Sequence, residues 1–352
     1  MSRNLSKSAI SQTLTVGIII ILIVAVAGTA YYLTLPPSSD QDQVELKVGA
    51  MFFGSITDEA WNTLGWEALQ GLKEEFGAEL SYSENVYLPD VDRVMRDYID
   101  AGINFIFPWS GSYFAPTNEI AVDFPEVSFS VFTAGTWPLE EPLGPNIQVI
   151  HSEQHPNFYA MGALAALMSE TKKIGHIGSF AYATSIASVN AFREGALATD
   201  PDVEISKVWI GTWDDVLLGK EAAIAMIDSG VDVIMHQCDL ASFGVFEAVK
   251  EANLAGKTVW ACGNDRDQSY LAPGYVLTST LMDYKSAITA MGQDIINGKL
   301  GGVQHITVDE DRLDLAPLNP AIPQDVKDAF EQIAEDIRTG NIVVEFNSEE
   351  YW

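Results

Sequence analysis

GSITDEAWNTLGWEALQGL, Gly54 to Leu72, decides the fold through its position in the chain. It follows the apolar, strand-like run VELKVGAMFF, and inside it the hydrophobic spacing changes from every second residue to every third or fourth. A strand feeding an amphipathic helix is the repeating unit of a parallel α/β sheet. Thr57 or Asp58 supplies an N-cap and Glu59 suits the positive end of the helix, while Trp61, Leu64, Gly65, Ala68 and Leu72 fall on one face. A capping acid and a core tryptophan account for most of this pattern. Ligands of open α/β sheets, however, bind beyond the carboxyl ends of the strands, where this loop lies, so Asp58 and Trp61 are also candidates for a binding site.

Working outward, the same alternation continues through LSYSENV (Leu80–Val86), a helical stretch from Asp90 to Ala101, and FIFPW (Phe105–Trp109). It resumes with NIQVIH (Asn146–His151), KIGHIGS (Lys173–Ser179), VWIG (Val208–Gly211), VDVIMHQ (Val231–Gln237) and TVWACG (Thr258–Gly263), separated by helix-like segments. Two such runs imply an α/β protein of two doubly wound parallel-sheet lobes with a cleft between them. Crossings near Ile150 and Tyr275 divide the body into a first lobe, 45–150 plus 276–300, and a second, 151–275 plus 301–352. The loops after the strands carry conspicuous residues: Trp109, Ser110 and Tyr113; Phe180 and Tyr182; Trp213 and Asp214; Gln237 and Asp239; Asp265 and Asp267. Aromatic faces and carboxylates from both lobes are therefore expected at one cleft.

Charge narrows the partners. Of 352 residues, 49 are acidic and 19 basic, and the first 39 hold two of the bases, Arg3 and Lys7, with no acid. The rest of the chain has a net charge of −32, a surface that repels phosphate backbones and excludes nucleic acid as a partner. Val16 to Leu33 is nearly unbroken apolar sequence, about the 18 residues that span a bilayer as a helix. With Arg3 and Lys7 before it, the positive-inside rule puts the acidic body outside the cytoplasm. Residues 1–35 thus read as a tail and membrane anchor and 36–44 as a linker; small-residue sites at Ala25–Ala27 and Ala27–Ala30 would let cleavage release the body. Only Cys238 and Cys262 are present, either bridged or two buried thiols.

The motifs together resemble the basic membrane protein family. The resemblance rests on GSITDEAWN, ENV (Glu84–Val86), FPEVSF (Phe124–Phe129), the run Asn157–Phe180, AFREGAL (Ala191–Leu197), GTWDD (Gly211–Asp215) and GNDRDQSYLAPGYVLTS (Gly263–Ser279), and it covers about residues 45 to 345. It implies a type I periplasmic-binding fold and a substrate-binding component of an ABC importer. Such a protein takes a purine nucleoside or nucleobase, needs permease and ATPase subunits, and uses no cofactor. By the same resemblance Asp58, Trp61 and Asn62 form the first-lobe motif, Trp213 the second aromatic wall, and Asp265 the carboxylate that holds ribose hydroxyls. Two departures stand out. Ser279-Thr280-Leu281-Met282 lacks the lysine of nucleoside-binding members, with Lys285 out of register, and His236–Ser242 (HQCDLAS) looks more like an adenine-type branch.

Two other functions remain open on sequence. A nucleoside hydrolase would use acid pairs such as Asp214 with Asp215 or Asp265 with Asp267, but HExxH, GxSxG, GxGxxG and GxxxxGK patterns are all missing from the sequence. A sensor ectodomain would use the same cleft, signalling through a membrane partner because the segment before Val16 is too short for an output domain.

Overall fold

The computed structural model describes residues 45–133, 143–306 and 315–352. The expected membrane segment at 16–33 lies outside them; among the described residues no helix is long and apolar enough to cross a membrane. The deciding segment begins at strand β1 (Lys47–Phe52) and ends in helix α1 (Trp61–Phe76). The pattern repeats through β2 (Glu79–Ser83), α2 (Val91–Asp100), β3 (Phe105–Trp109), α3 (Phe114–Ala121), β4 (Ser128–Thr133) and β5 (Ile147–Ser152). A second series follows: α4 (His155–Met168), β6 (Lys173–Gly178), α5 (Ala183–Thr199), β7 (Glu204–Trp209), α6 (Val216–Asp228), β8 (Val233–Gln237), α7 (Ser242–Leu254), β9 (Trp260–Gly263) and β10 (Val276–Ser279). The chain closes with α8 (Tyr284–Ile296), β11 (Gly302–Ile306) and α9 (Gln324–Arg338).

The strands form two sheets, ordered β11-β5-β4-β3-β1-β2 and β10-β9-β8-β6-β7. Every pairing within them is parallel. Helices on both faces bury a parallel sheet completely, so its inner strands are nearly continuous in apolar residues. That holds for β3 and β8, buried at every position, whereas the edge strands β2 and β7 are only partly covered. Along β7 the C-terminal residues supply cover: Trp209 Nε1 donates to Glu350, and the Trp352 ring lies within cation–π distance of Arg193 and Lys207.

The sheets correct the expected lobe boundaries. β10 belongs to the second sheet, so the chain leaves that lobe after Ser279 and not near Tyr275, and β11 returns to the first sheet, paired with β5, although it falls in the stretch expected in the second lobe. Helix α8 packs on α1 in the first lobe and α9 on α4 in the second. Cys238 and Cys262 are both buried free thiols.

Candidate functional site

Asp58 organises the entry to α1. Its carboxylate accepts from the backbone N–H groups of Ala60 (3.0 Å), Asn62 (3.0 Å) and Thr63 (2.9 Å). The Asn62 side-chain amide donates to it at 2.7 Å, and the Thr63 hydroxyl lies 2.9 Å away. The first N–H groups of a helix have no partner within it, and one acid here satisfies three donors from the chain's turn into the helix. Asn62 is committed as well, its Oδ1 reaching the Gly54 N–H at 3.4 Å. Asp58 and Asn62 thus build the loop, an arrangement reached two residues earlier than a simple cap at the helix boundary.

This loop fixes Trp61 at the head of an aromatic group. Trp61 stacks on Trp109 with ring centroids 4.7 Å apart and meets Tyr284 (5.4 Å) and Phe132 (5.6 Å) edge-on. Trp109 is fully buried and its Nε1–H donates to the Trp61 carbonyl at 2.7 Å. The close approach requires glycine at 65, where a Cβ would fall 2.4 Å from the Trp109 ring. Trp109 therefore backs the wall that Trp61 presents. Ser110 takes no part in it; its hydroxyl accepts from Ser112 N–H and caps the turn after β3.

The second lobe supplies a looser aromatic group. Trp213 lies 5.6 Å from Phe180 and 6.3 Å from Tyr182, and Tyr182 is exposed. The Trp213 carbonyl accepts from Ala241 N–H at 3.0 Å, which ties this group to the turn carrying Asp239.

Asp265 lies in the loop between β9 and β10. Its backbone N–H donates to Thr280 Oγ1 (3.0 Å), which donates to Asn264 Oδ1 (2.9 Å); Gln268 holds the same loop through Ser279, Asn264 N–H and buried His236. The Asp265 carboxylate is 6% exposed and receives one long bond, 3.4 Å, from Gln154 Nε2. Burial first and then the Asp58 charge push it up to about 7. Asp239 is also held well above the ordinary carboxylate range by burial, then by Asp58 and Asp265. Burial and Asp265 raise the Tyr284 hydroxyl too, which puts that ring beside the acid. Asp239 (φ 41°), Asp265 (φ 66°) and Glu59 (φ 54°) all have left-handed backbone, a cost that concentrates at functional sites. Among the described residues these acids do not form a group able to hold a metal ion.

The structure thus groups Trp61 with Trp109, Phe132 and Tyr284, brings the Asp58 charge to bear on Asp239 and Asp265, and links Trp213 with Phe180 and, through Ala241, with the turn of Asp239. Sequence reasoning missed Tyr284, Phe132 and Gln154. Tyr284 was findable, since Asp283 is a good N-cap and accepts from Ser286 N–H at 3.0 Å, marking a new helix at the mouth of the cleft. Outside the acids, Arg266 reaches from the second lobe to Glu59 (3.5 Å) and Glu67 (3.4 Å), and the Tyr270 hydroxyl donates to Glu59 at 2.8 Å.

Two parallel sheets with chain crossings between them, their loops joined by Arg266 to Glu59 and Glu67, make a two-lobed α/β fold. A family model described as ABC transporter substrate-binding protein PnrA-like matches residues 45–345, and the chain belongs to that family. It is similar to basic membrane protein A2 of Borrelia garinii subsp. bavariensis, 26% identical over 313 residues that cover 87% of this chain and 90% of that protein. It is also similar to a purine-binding protein of Brucella abortus, 28% identical over 303 residues covering 85% and 82%. Among solved structures, an ABC transporter solute-binding protein of Aeropyrum pernix matches with a TM-score of 0.77 at 20% identity, covering 87% of this chain and 94% of that one.

Proposed function

We propose that this chain captures a purine nucleoside or nucleobase between its lobes, outside the cytoplasm, and delivers it to the permease and ATPase subunits of an ABC importer. The reading is supported by an aromatic group on each lobe, led by Trp61 and Trp213, together with the under-partnered carboxylate of Asp265 in the loop after β9. A flat base offers two faces, and stacking on an aromatic is worth about 1–3 kcal/mol per base. A buried carboxyl beside the stack accepts from vicinal ribose hydroxyls, which a free base lacks. The Brucella relative's purine binding supports the same class of ligand. Asp58 and Asn62 serve this site by shaping the Trp61 loop. The apolar run at 16–33 tethers the body to the membrane in this reading.

The test is direct. Protein purified without added ligand is denatured and the released solute identified by mass spectrometry; the expected result is a purine nucleoside or base. Calorimetric titration with adenosine, guanosine, inosine and their bases then ranks them. Release of a sugar or a peptide, with no heat from any purine, would sink the proposal.

A further inference from the structure

Among the described residues, the charges that shift Asp265 and Asp239 are negative: Asp58 acts on both, and Asp265 on Asp239. Arg266, next in sequence, turns outward to Glu59 and Glu67. Where the family resemblance calls for a lysine, Met282 is buried with its sulfur 3.9 Å from Asn157 Nδ2. His236, the nearest histidine in sequence, is occupied behind the loop by Gln268.

A separate observation points the same way. Gln237 ends β8 with 9% of its surface exposed, and its Nε2 donates to Gln154 Oε1 at 3.4 Å, while Gln154 in turn donates to Asp265. The Gln237 Oε1 is buried with no partner, and the Asp265 carboxylate has one 3.4 Å bond, so both are acceptors short of donors, while Arg266 Nη1, a buried donor without a hydrogen bond, is held by the Glu59 charge at 3.5 Å. A buried acceptor without a donor is costly. Each lobe also carries a tryptophan in an aromatic group, Trp61 with Tyr284 and Trp213 with Phe180, and the faces of such rings attract positive charge.

Resting on the reading that the cleft takes a flat purine-type solute, we propose that it selects a heteroaromatic cation, such as an N-methylated purine nucleoside, over the neutral counterpart. Asp265, kept partly protonated by burial near neutral pH, ionises against the cation and releases its proton to solvent.

The experiment titrates the intact protein with 1-methyladenosine, cationic at neutral pH, and with adenosine, in buffers of different ionisation heat. The cation is expected to bind about tenfold more tightly or better. Its binding should release protons, and its affinity should rise from about pH 5.5 to about pH 7.5 as Asp265 ionises. Asp265→Asn removes, at nearly constant shape, the acid that ionises against the cation and should shrink the preference and abolish the proton release, and Met282→Lys, checked for folding by circular dichroism, should reverse the preference. Adenosine binding as tightly as 1-methyladenosine across the pH range, with no proton release, overturns the charge preference and leaves the nucleoside reading standing. Binding of neither compound, nor of adenine, overturns both.

Discussion

Asp58 and Asp265 occupy comparable places, each in the loop that follows a parallel strand, each nearly buried, and each at or beside a left-handed residue. Their surroundings differ sharply. Three backbone N–H groups, an amide and a hydroxyl converge on Asp58, whereas Asp265 receives a single 3.4 Å bond. A carboxylate saturated by its own loop is a structural part, and one held in place through its backbone with its oxygens unspent is poised to meet a ligand. The aromatic groups divide in the same way. Trp61 is packed into a four-ring assembly continuous with the first lobe's core, while Trp213 sits among partly exposed rings.

The contrast is broken most severely at Asp58. Asp58→Ala leaves several buried donors without acceptors and should cost about 3–5 kcal/mol of stability, measured by urea denaturation. Binding falls only because the Trp61 loop loses its shape. If Asp58→Ala folds with wild-type stability yet binds nothing, Asp58 touches the ligand and the division above is wrong.

Asp265→Asn should do the opposite, weakening nucleoside binding by about 10- to 150-fold, the worth of a charge-assisted hydrogen bond of about 1.5–3 kcal/mol, with the fold intact. Its effect on stability has a definite sign. The folded carboxyl titrates near 7, above its unfolded value, so between the two the folded state binds the extra proton. Wild-type stability from this group is therefore fully present at low pH and is lost as pH rises from about 4 through about 7. Comparing denaturation of the two proteins across that window isolates the contribution; the same slope in both excludes it.

Trp213→Ala is expected to weaken binding by about 1–3 kcal/mol while leaving the melting temperature close to wild type. Trp61→Ala should weaken binding similarly and also cost about 2–3 kcal/mol of stability, since it removes a ring from a packed group. Equal stability losses at both positions would erase the distinction between a built wall and a loose one.

Much of this was legible in the sequence. The change of hydrophobic period at Gly54–Leu72 and its repeats gave the parallel α/β architecture, because burial on both faces of a sheet leaves a local signature. The strands β4, β10 and β11 were not read: VLTS spans only four residues, and GVQHI carries a polar pair. Without β10 and β11 the crossings were misplaced, since sheet membership depends on partners distant in the chain. Within the site, placement after a strand marked Trp109 and Ser110 as readily as Trp213 and Asp265. A buried backing ring, a turn cap and a ligand wall have the same local sequence context, and only packing distinguishes them.

The smallest effect concerns the bridge outside the cleft. Arg266, from the loop after β9, lies 3.5 Å from Glu59 and 3.4 Å from Glu67 at the head of α1, and Tyr270 donates to Glu59 at 2.8 Å. Glu59 and Arg266 are the immediate neighbours of Asp58 and Asp265, so this contact joins the two lobes beside both acids. The side chains are partly exposed, and such ion pairs contribute about 0–1 kcal/mol. Arg266→Ala should therefore leave the association rate unchanged and raise the dissociation rate by no more than about 5-fold, since a bridge formed after encounter acts on release. The difference should fade as salt rises, because screening removes the pair from the wild type as well. Stopped-flow fluorescence, with the tryptophans as reporters, reads both rates at low and high salt. A loss of more than about tenfold, unaffected by salt, would mean that Arg266 bonds the ligand itself and does more than bridge the lobes.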